Sequence, residues 1–263
     1  MRVGTFVGYS EGAGIGGFIV TTTVPGTAAS KHVLLRAIGP SVAQFGVPNV
    51  LADPVMELHG PTGFTTIIND NWRDDPVQEA LIIASGIPPT NGLESAIDAT
   101  LVPGNYTAIV QGKNNTTGVA LVEVYDLDQT ADSKLANIST RAFVSTGDNV
   151  VIAGFILGNH SGNDRVIVRG IGPSLTGLLG AELDNPTLEL RNGNGELLAY
   201  NNDWHDDPAQ AAEIIAAGLA PYDPREAAIA ATLPPGLYTA LLAGLNNSTG
   251  VGLVEIYDLG TPQ

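Results

Sequence analysis

Two stretches of this 263-residue chain gather most of the side chains that could do chemistry. They are residues 69–76, NDNWRDDP, and residues 201–208, NNDWHDDP. Carboxylate and amide oxygens crowded on a turn are what a calcium ion needs, since it takes about six to eight oxygen ligands. Asp70, Asn71, Asp74 and Glu94 form one candidate set, and Asn202, Asp203, Asp206 and Glu226 the other. The spacing lacks the glycine and the terminal glutamate of an EF-hand. Trp72 and Trp204 offer a face for stacking on a sugar; the competing expectation is a ring tucked over the edge of a sheet, its N–H donated nearby. Asp75 and Asp207 precede a proline and an apolar run, which reads as a helix N-cap with Pro76 or Pro208 in the first helical position. Gln78 and Gln210 stand where a capping box would place them.

Other chemistry finds less support. The histidines are His32, His59, His160 and His205. None recurs at a matching position of the two halves, so no shared Ser-His-Asp set exists. Asp74 with Glu94, and Asp206 with Glu226, would suit a glycosidase only across a cleft, which the pattern does not supply. No catalytic residue is assigned, and the chain is not expected to be an enzyme. Arg36 and Arg169 interrupt apolar runs just before IGPS, and a buried charge needs a partner. Glu123 and Glu255, in LVEVYD and LVEIYD, are the expected structural ion-pair partners.

The elements that hold these residues come in duplicate. LVPGNYTAIVQGKNNTTGVALVEVYDL matches LPPGLYTALLAGLNNSTGVGLVEIYDL, and Trp72 and Tyr106 fall opposite Trp204 and Tyr238. Upstream the match drifts, with Phe6 set against Phe143 and Arg36 against Arg169. Repeats of this kind mean one module used twice. Boundaries at 1–128 and 140–263 follow, with 129–139 as a linker or joining strand. The chain also reads as beginning inside a module, whose first sheet a neighbour's strand would complete.

In the second copy, alternating or short apolar runs predict strands at about 142–146, 150–157, 165–170, 187–191, 197–201, 227–233, 237–244 and 251–259. RNGNGEL and GLNNSTGVG carry hairpin turn chemistry. The run PAQAAEIIAAG predicts a helix stopped by Gly218. The fold class is therefore all-β: two tandem jelly-roll-like β-sandwich modules, each with one short helix inserted after the acidic DDP stretch.

Composition narrows the partners. The formal net charge is −16 with 11 Lys and Arg. No basic run exists for nucleic acid or an anionic bilayer, and no apolar run is long enough for membrane insertion. Cysteine is absent, which removes disulfides and thiolate chemistry. Sequons occur at NYT, NNTT, NIS, NHS and NNST, where turn chemistry accounts for the same residues.

The segment from PTLELRNGNGELLAYNNDW to LVEIYDL resembles the bacterial pre-peptidase C-terminal type of β-sandwich. That resemblance implies a non-catalytic accessory domain, in some members calcium-binding, over the second half of each module. The whole module, with LANISTRAFVSTGDNVVIAGFILG and VIVRGIGPSL, resembles a repeat, without assigned activity, of large secreted and surface proteins of environmental bacteria. The combined expectation is an extracellular structural or adhesive protein whose partners are copies of itself or neighbouring repeats, assembled as a surface layer or filament. The alternative is a calcium-dependent module binding surface polysaccharide or another protein.

Overall fold

The computed structural model describes residues 3–10, 13–147, 149–158, 162–177 and 181–261, with side chains described from residue 14 onward. His160 lies outside the described residues. The chain divides into two compact units at the 136/137 boundary.

The first unit contains β1 (Val3–Ser10), β2 (Ala13–Thr22), β3 (Lys31–Ile38), β4 (Pro54–His59), β5 (Ile67–Asn69), α1 (Pro76–Ala84), β6 (Ser95–Leu101), β7 (Gly104–Gly112) and β8 (Gly118–Asp126). Pairing is antiparallel in the orders β1-β8-β3-β6 and β2-β7-β4-β5. Two four-stranded sheets with this interleaved connectivity make an eight-stranded jelly roll. The second unit repeats it with β9 (Ser133–Val144), β10 (Val151–Leu157), β11 (Asp164–Ile171), β12 (Pro186–Asn192), β13 (Leu197–Asn201), α2 (Pro208–Ala216), β14 (Ala227–Leu233), β15 (Gly236–Gly244) and β16 (Gly250–Gly260). Its sheets are β9-β16-β11-β14 and β10-β15-β12-β13.

Of the two readings of 129–139, linker or joining strand, the structure has the strand: β9 begins at Ser133 and buries Leu135 and Asn137 on one face and Ile138 on the other. Tyr9 pairs with Val119 and Phe143 with Val251, so Phe143 corresponds to Tyr9 and not to Phe6. The longer second-copy turn before β10 absorbs the difference. In the first module β1 pairs with β8 along its length.

Each core repeats the same devices. Phe18 stacks on Tyr106, and Phe155 on Tyr238, both at 5.4 Å between ring centroids. The tyrosine hydroxyls donate to the carbonyls of Val102 and Pro234, each four residues upstream at 2.8 Å, which fixes the PGxY turn. Gly39 and Gly172 have no room for a side chain: a Cβ there would stand 2.1 Å from the carbonyl oxygen of Leu51 or Leu183. The second helix ends as its glycine predicts. Gly218 has φ +70, and the N–H groups of Gly218 and Leu219 return to Ile215 and Ile214.

Candidate functional site

The acidic stretch links β5 to α1 in the first module and β13 to α2 in the second. Asp75 and Asp207 accept from the two N–H groups of the first helical turn, Val77 and Gln78 in one case, Ala209 and Gln210 in the other. Gln78 and Gln210 do not close capping boxes. Gln78 Oε1 accepts from Asp98 N–H (2.9 Å) and its Nε2 donates to the Asp98 carbonyl (3.2 Å). Gln210 accepts from Ala230 N–H, the position matching Asp98, and donates to the Ala228 carbonyl two residues earlier. Asn69 and Asn201 accept from Ala96 and Ala228 N–H, both at 2.9 Å. These amides cover the outer edge of β6 and β14, where backbone groups would otherwise lack a strand partner.

The two tryptophans begin alike and end differently. Trp72 N–H donates to the Glu94 carbonyl and Trp204 N–H to that of Glu226, each at 2.9 Å. Trp72 is 2% exposed, packs with Leu34, Ile82 and Ala96, and donates Nε1–H to the Asn91 carbonyl. The Arg73 guanidinium lies 4.2 Å from its ring centroid. A ring so enclosed has no face for a sugar, which corrects the platform expectation at Trp72. Trp204 is half-buried against Ile167, Ile214 and Ala228, and its buried Nε1 has no hydrogen-bond partner.

Glu94 and Glu226 are fully buried and turn away from the acidic stretch. The Glu94 carboxylate accepts from Ser41 N–H (2.8 Å), Ser41 Oγ–H (3.0 Å) and Asn91 N–H (3.2 Å). Glu226 accepts from Gly172 and Ser174 N–H, from Ser174 Oγ–H, and from Asp223 N–H. Each therefore holds the IGPS turn against the loop that leads into β6 or β14. Neither joins Asp74 or Asp206 across a cleft, and neither reaches the other proposed calcium ligands. Charged acceptors of several N–H and O–H donors are strong structural bonds, and no spacing rule in the sequence points to them.

The remaining oxygens do gather. Asp70 Oδ2 lies 2.5 Å from Lys113 Nζ, with Asp53 Oδ2 3.8 Å from the same nitrogen. Asn71 Nδ2 donates to Asp74 Oδ2 at 3.1 Å. The hydrogen bond to Asp70, with the charges of Asp53, Asp70 and Asp74, raises the Lys113 pKa against a smaller opposing effect of desolvation. The ammonium thus stands where a cation would. In the second module Leu245 replaces the lysine, and Asn185 and Asn202 replace the two aspartates that meet it. There Asn202 Nδ2 donates to Asp203 Oδ2 (3.0 Å), and Asp206 N–H to the Asp203 carbonyl (3.1 Å). Buried oxygens without a hydrogen-bond partner remain at Asp53, Asp70 and Asn71, and at Asn185 in the second copy. Among the described residues, no three His, Cys, Asp or Glu side chains converge in a way that could hold a metal ion.

The half-buried Arg36 and Arg169 meet the carboxylates expected of them. Arg36 Nε donates to Glu123 Oε2 at 2.8 Å, with a second bond from Nη2, and Arg169 engages Glu255 in the same way. Tyr125 and Tyr257 donate their hydroxyls to Glu123 and Glu255 and accept from the arginines. Burial, then the neighbouring carboxylate, pushes both phenols up, Tyr257 to about 12. Of the histidines, His32 contacts Asp98 at 2.9 Å, His59 contacts Glu57 at 3.1 Å, and His205 lies beside Trp204. None of these three lies within hydrogen-bond reach of a serine among the described residues. The sequon Asn137 is buried and donates to the Ile256 carbonyl, so the fold leaves no room for a glycan there.

No protein-family model matches the chain, and no curated protein does. Among solved structures, it is similar to the major capsid protein in the crystal structure of the STIV MCP, at 12% identity and TM-score 0.25, covering 97% of this chain and 95% of that one. A second similarity is to a chain in the atomic structure of Sulfolobus Turreted Icosahedral Virus, at 10% identity and TM-score 0.25, covering 97% and 88%.

Proposed function

We propose that the protein is a non-catalytic scaffold of the cell exterior, a pair of jelly-roll modules that associates with its own copies. One observation carries this reading. The polar groups that suggested chemistry are used, in both copies, on the same internal bonds: Glu94 and Glu226 on the IGPS turn, Asp75 and Asp207 on a helix start, Gln78 and Gln210 on a strand edge. Groups bonded this way are engaged in holding the fold. No helix among the described residues is long and apolar enough to cross a membrane, which suits a scaffold held by contacts rather than by insertion. Small-angle scattering across a concentration series tests the reading. Mass that grows with concentration supports it; a constant monomer mass at all concentrations counts against it.

A calcium-dependent binding module is the second reading. It is favoured by the unpartnered oxygens of Asp53, Asp70, Asn71 and Asn185, with the partly exposed ring of Trp204 as the place for a sugar. Thermal melts with calcium and with chelator decide it, since a ligand of the native state alone raises the midpoint.

A further inference from the structure

Each sandwich ends in edge strands, and an open edge is a template for another strand. The amides of Asn69, Gln78, Asn201 and Gln210 close β6 and β14. Strand β13 has no such cover: among the described residues it pairs with β12 alone. Its register slips between Leu190 and Arg191, which makes Leu198 the extra residue of a bulge. Leu197, Leu198 and Tyr200 consequently stand 53%, 46% and 52% exposed. The matching strand of the first module, β5, is only three residues long and exposes Ile68 in their place.

We propose that β13 is a self-association edge, on which two copies of this chain pair antiparallel about a twofold axis near Ala199. The inference rests on the scaffold reading and names the surface through which it would act. Charge selects the occupant. At −16, copies of the chain repel one another over most of their surface. From Leu197 to Asn202 there is no charged side chain. Glu189, paired in register with Tyr200, is neutralised by Arg191 at 2.8 Å. Glu196 accepts from Asn192 Nδ2 at 2.6 Å. Glu196 keeps its charge but lies before the strand, so a basic partner finds no carboxylate within β13 and a second copy meets no like charge along it.

Symmetry points the same way. Antiparallel pairing about Ala199 sets Leu198 opposite Tyr200 twice, and these exposed apolar groups bury one another's surface. The contact is isologous and closes at the dimer. One five-residue edge falls below the roughly 1,200 Å² of a stable interface, so a dissociation constant on the order of 100 µM is expected.

Sedimentation velocity on the full chain, at concentrations spanning that value, is the test. The variants are Leu198→Lys, Tyr200→Lys and, as a control on the first module, Ile68→Lys; all three positions are exposed, and circular dichroism verifies folding. The wild type is expected to dimerise, either β13 lysine to weaken the dimer at least about tenfold, and Ile68→Lys to leave it unchanged. If one β13 variant fails to fold, the other carries the comparison. A wild-type dimer indifferent to the folded β13 variants overturns this edge and leaves the scaffold reading standing. A wild type that stays monomeric throughout overturns both.

Discussion

The acidic corner of the first module and that of the second share a backbone and differ in how they are finished. In the first, Trp72 is enclosed and Lys113 neutralises Asp53 and Asp70. In the second, Trp204 is half-exposed, and lysine and both aspartates have given way together to Leu245, Asn185 and Asn202. A cation and its two counter-charges present together in one copy and absent together from the other behave as an internal ion cluster. What does not change between the copies is the frame around it: the helix cap, the edge-covering amides and the buried glutamate on the IGPS turn. The difference separates what the jelly roll requires from what each copy is free to vary.

The strongest way to break this comparison is at the tryptophans. Trp72→Ala should cost about 3–5 kcal/mol and Trp204→Ala about half as much, because only the first ring is fully enclosed and bonded through Nε1. Urea unfolding followed by circular dichroism measures both, and equal losses would remove the distinction. The shared frame should respond symmetrically. Glu94→Gln and Glu226→Gln should each cost about 1.5–3 kcal/mol, since each replaces a buried charged acceptor by a neutral one. A much larger loss in one copy would mean that the two turns are not equivalent. Asp75→Ala and Asp207→Ala should each cost about 1 kcal/mol as lost helix caps.

The smallest effect belongs to Lys113, whose site is partly solvated. Lys113→Leu should lower the thermal midpoint slightly and less so in high salt. Adding Asp53→Asn and Asp70→Asn, which recreates the second copy's set, should restore it. The sign with pH follows from the raised pKa of the lysine. Its contribution is complete below the ordinary lysine range and is lost as pH rises through the folded-state value, so wild type and Lys113→Leu should converge only in strong alkali. The buried phenols act in the same direction. Tyr257, held near 12, should lose its stabilising contribution between about pH 10 and 12. Absorbance of the phenolate against circular dichroism would show whether ionisation coincides with unfolding.

Much of the frame was legible in the sequence because its causes are local or periodic. The duplicated Asp-Pro pairs announce two helix starts, Gly218 announces a stop, and apolar alternation announces the strands. Arg36 and Glu123 follow from the need to pair a charge inside an apolar run. Strand β9 starts earlier than expected because Ser, Lys and Asn at 133–137 read as a join, whereas Ser133 and Asn137 are buried along with Leu135 and Ile138. What spacing could not show are contacts made across the sandwich. Gln78 sits where a capping box would put it and instead reaches strand β6 twenty residues on. Glu94 resembles a ligand of the acidic loop and instead turns inward to Ser41. Lys113 meets Asp70 only because β4 pairs with both β7 and β5, which brings the ends of those two strands together.

The account rests on the claim that these oxygen-rich corners are internal supports. Calorimetric titration of calcium into the chelator-treated full chain, with Lys113→Leu alongside, tests it most directly. The account predicts no saturable binding to the wild type and none gained on removing the lysine. Saturable uptake at one ion per module, abolished by Asp70→Asn and Asp203→Asn together, would contradict it.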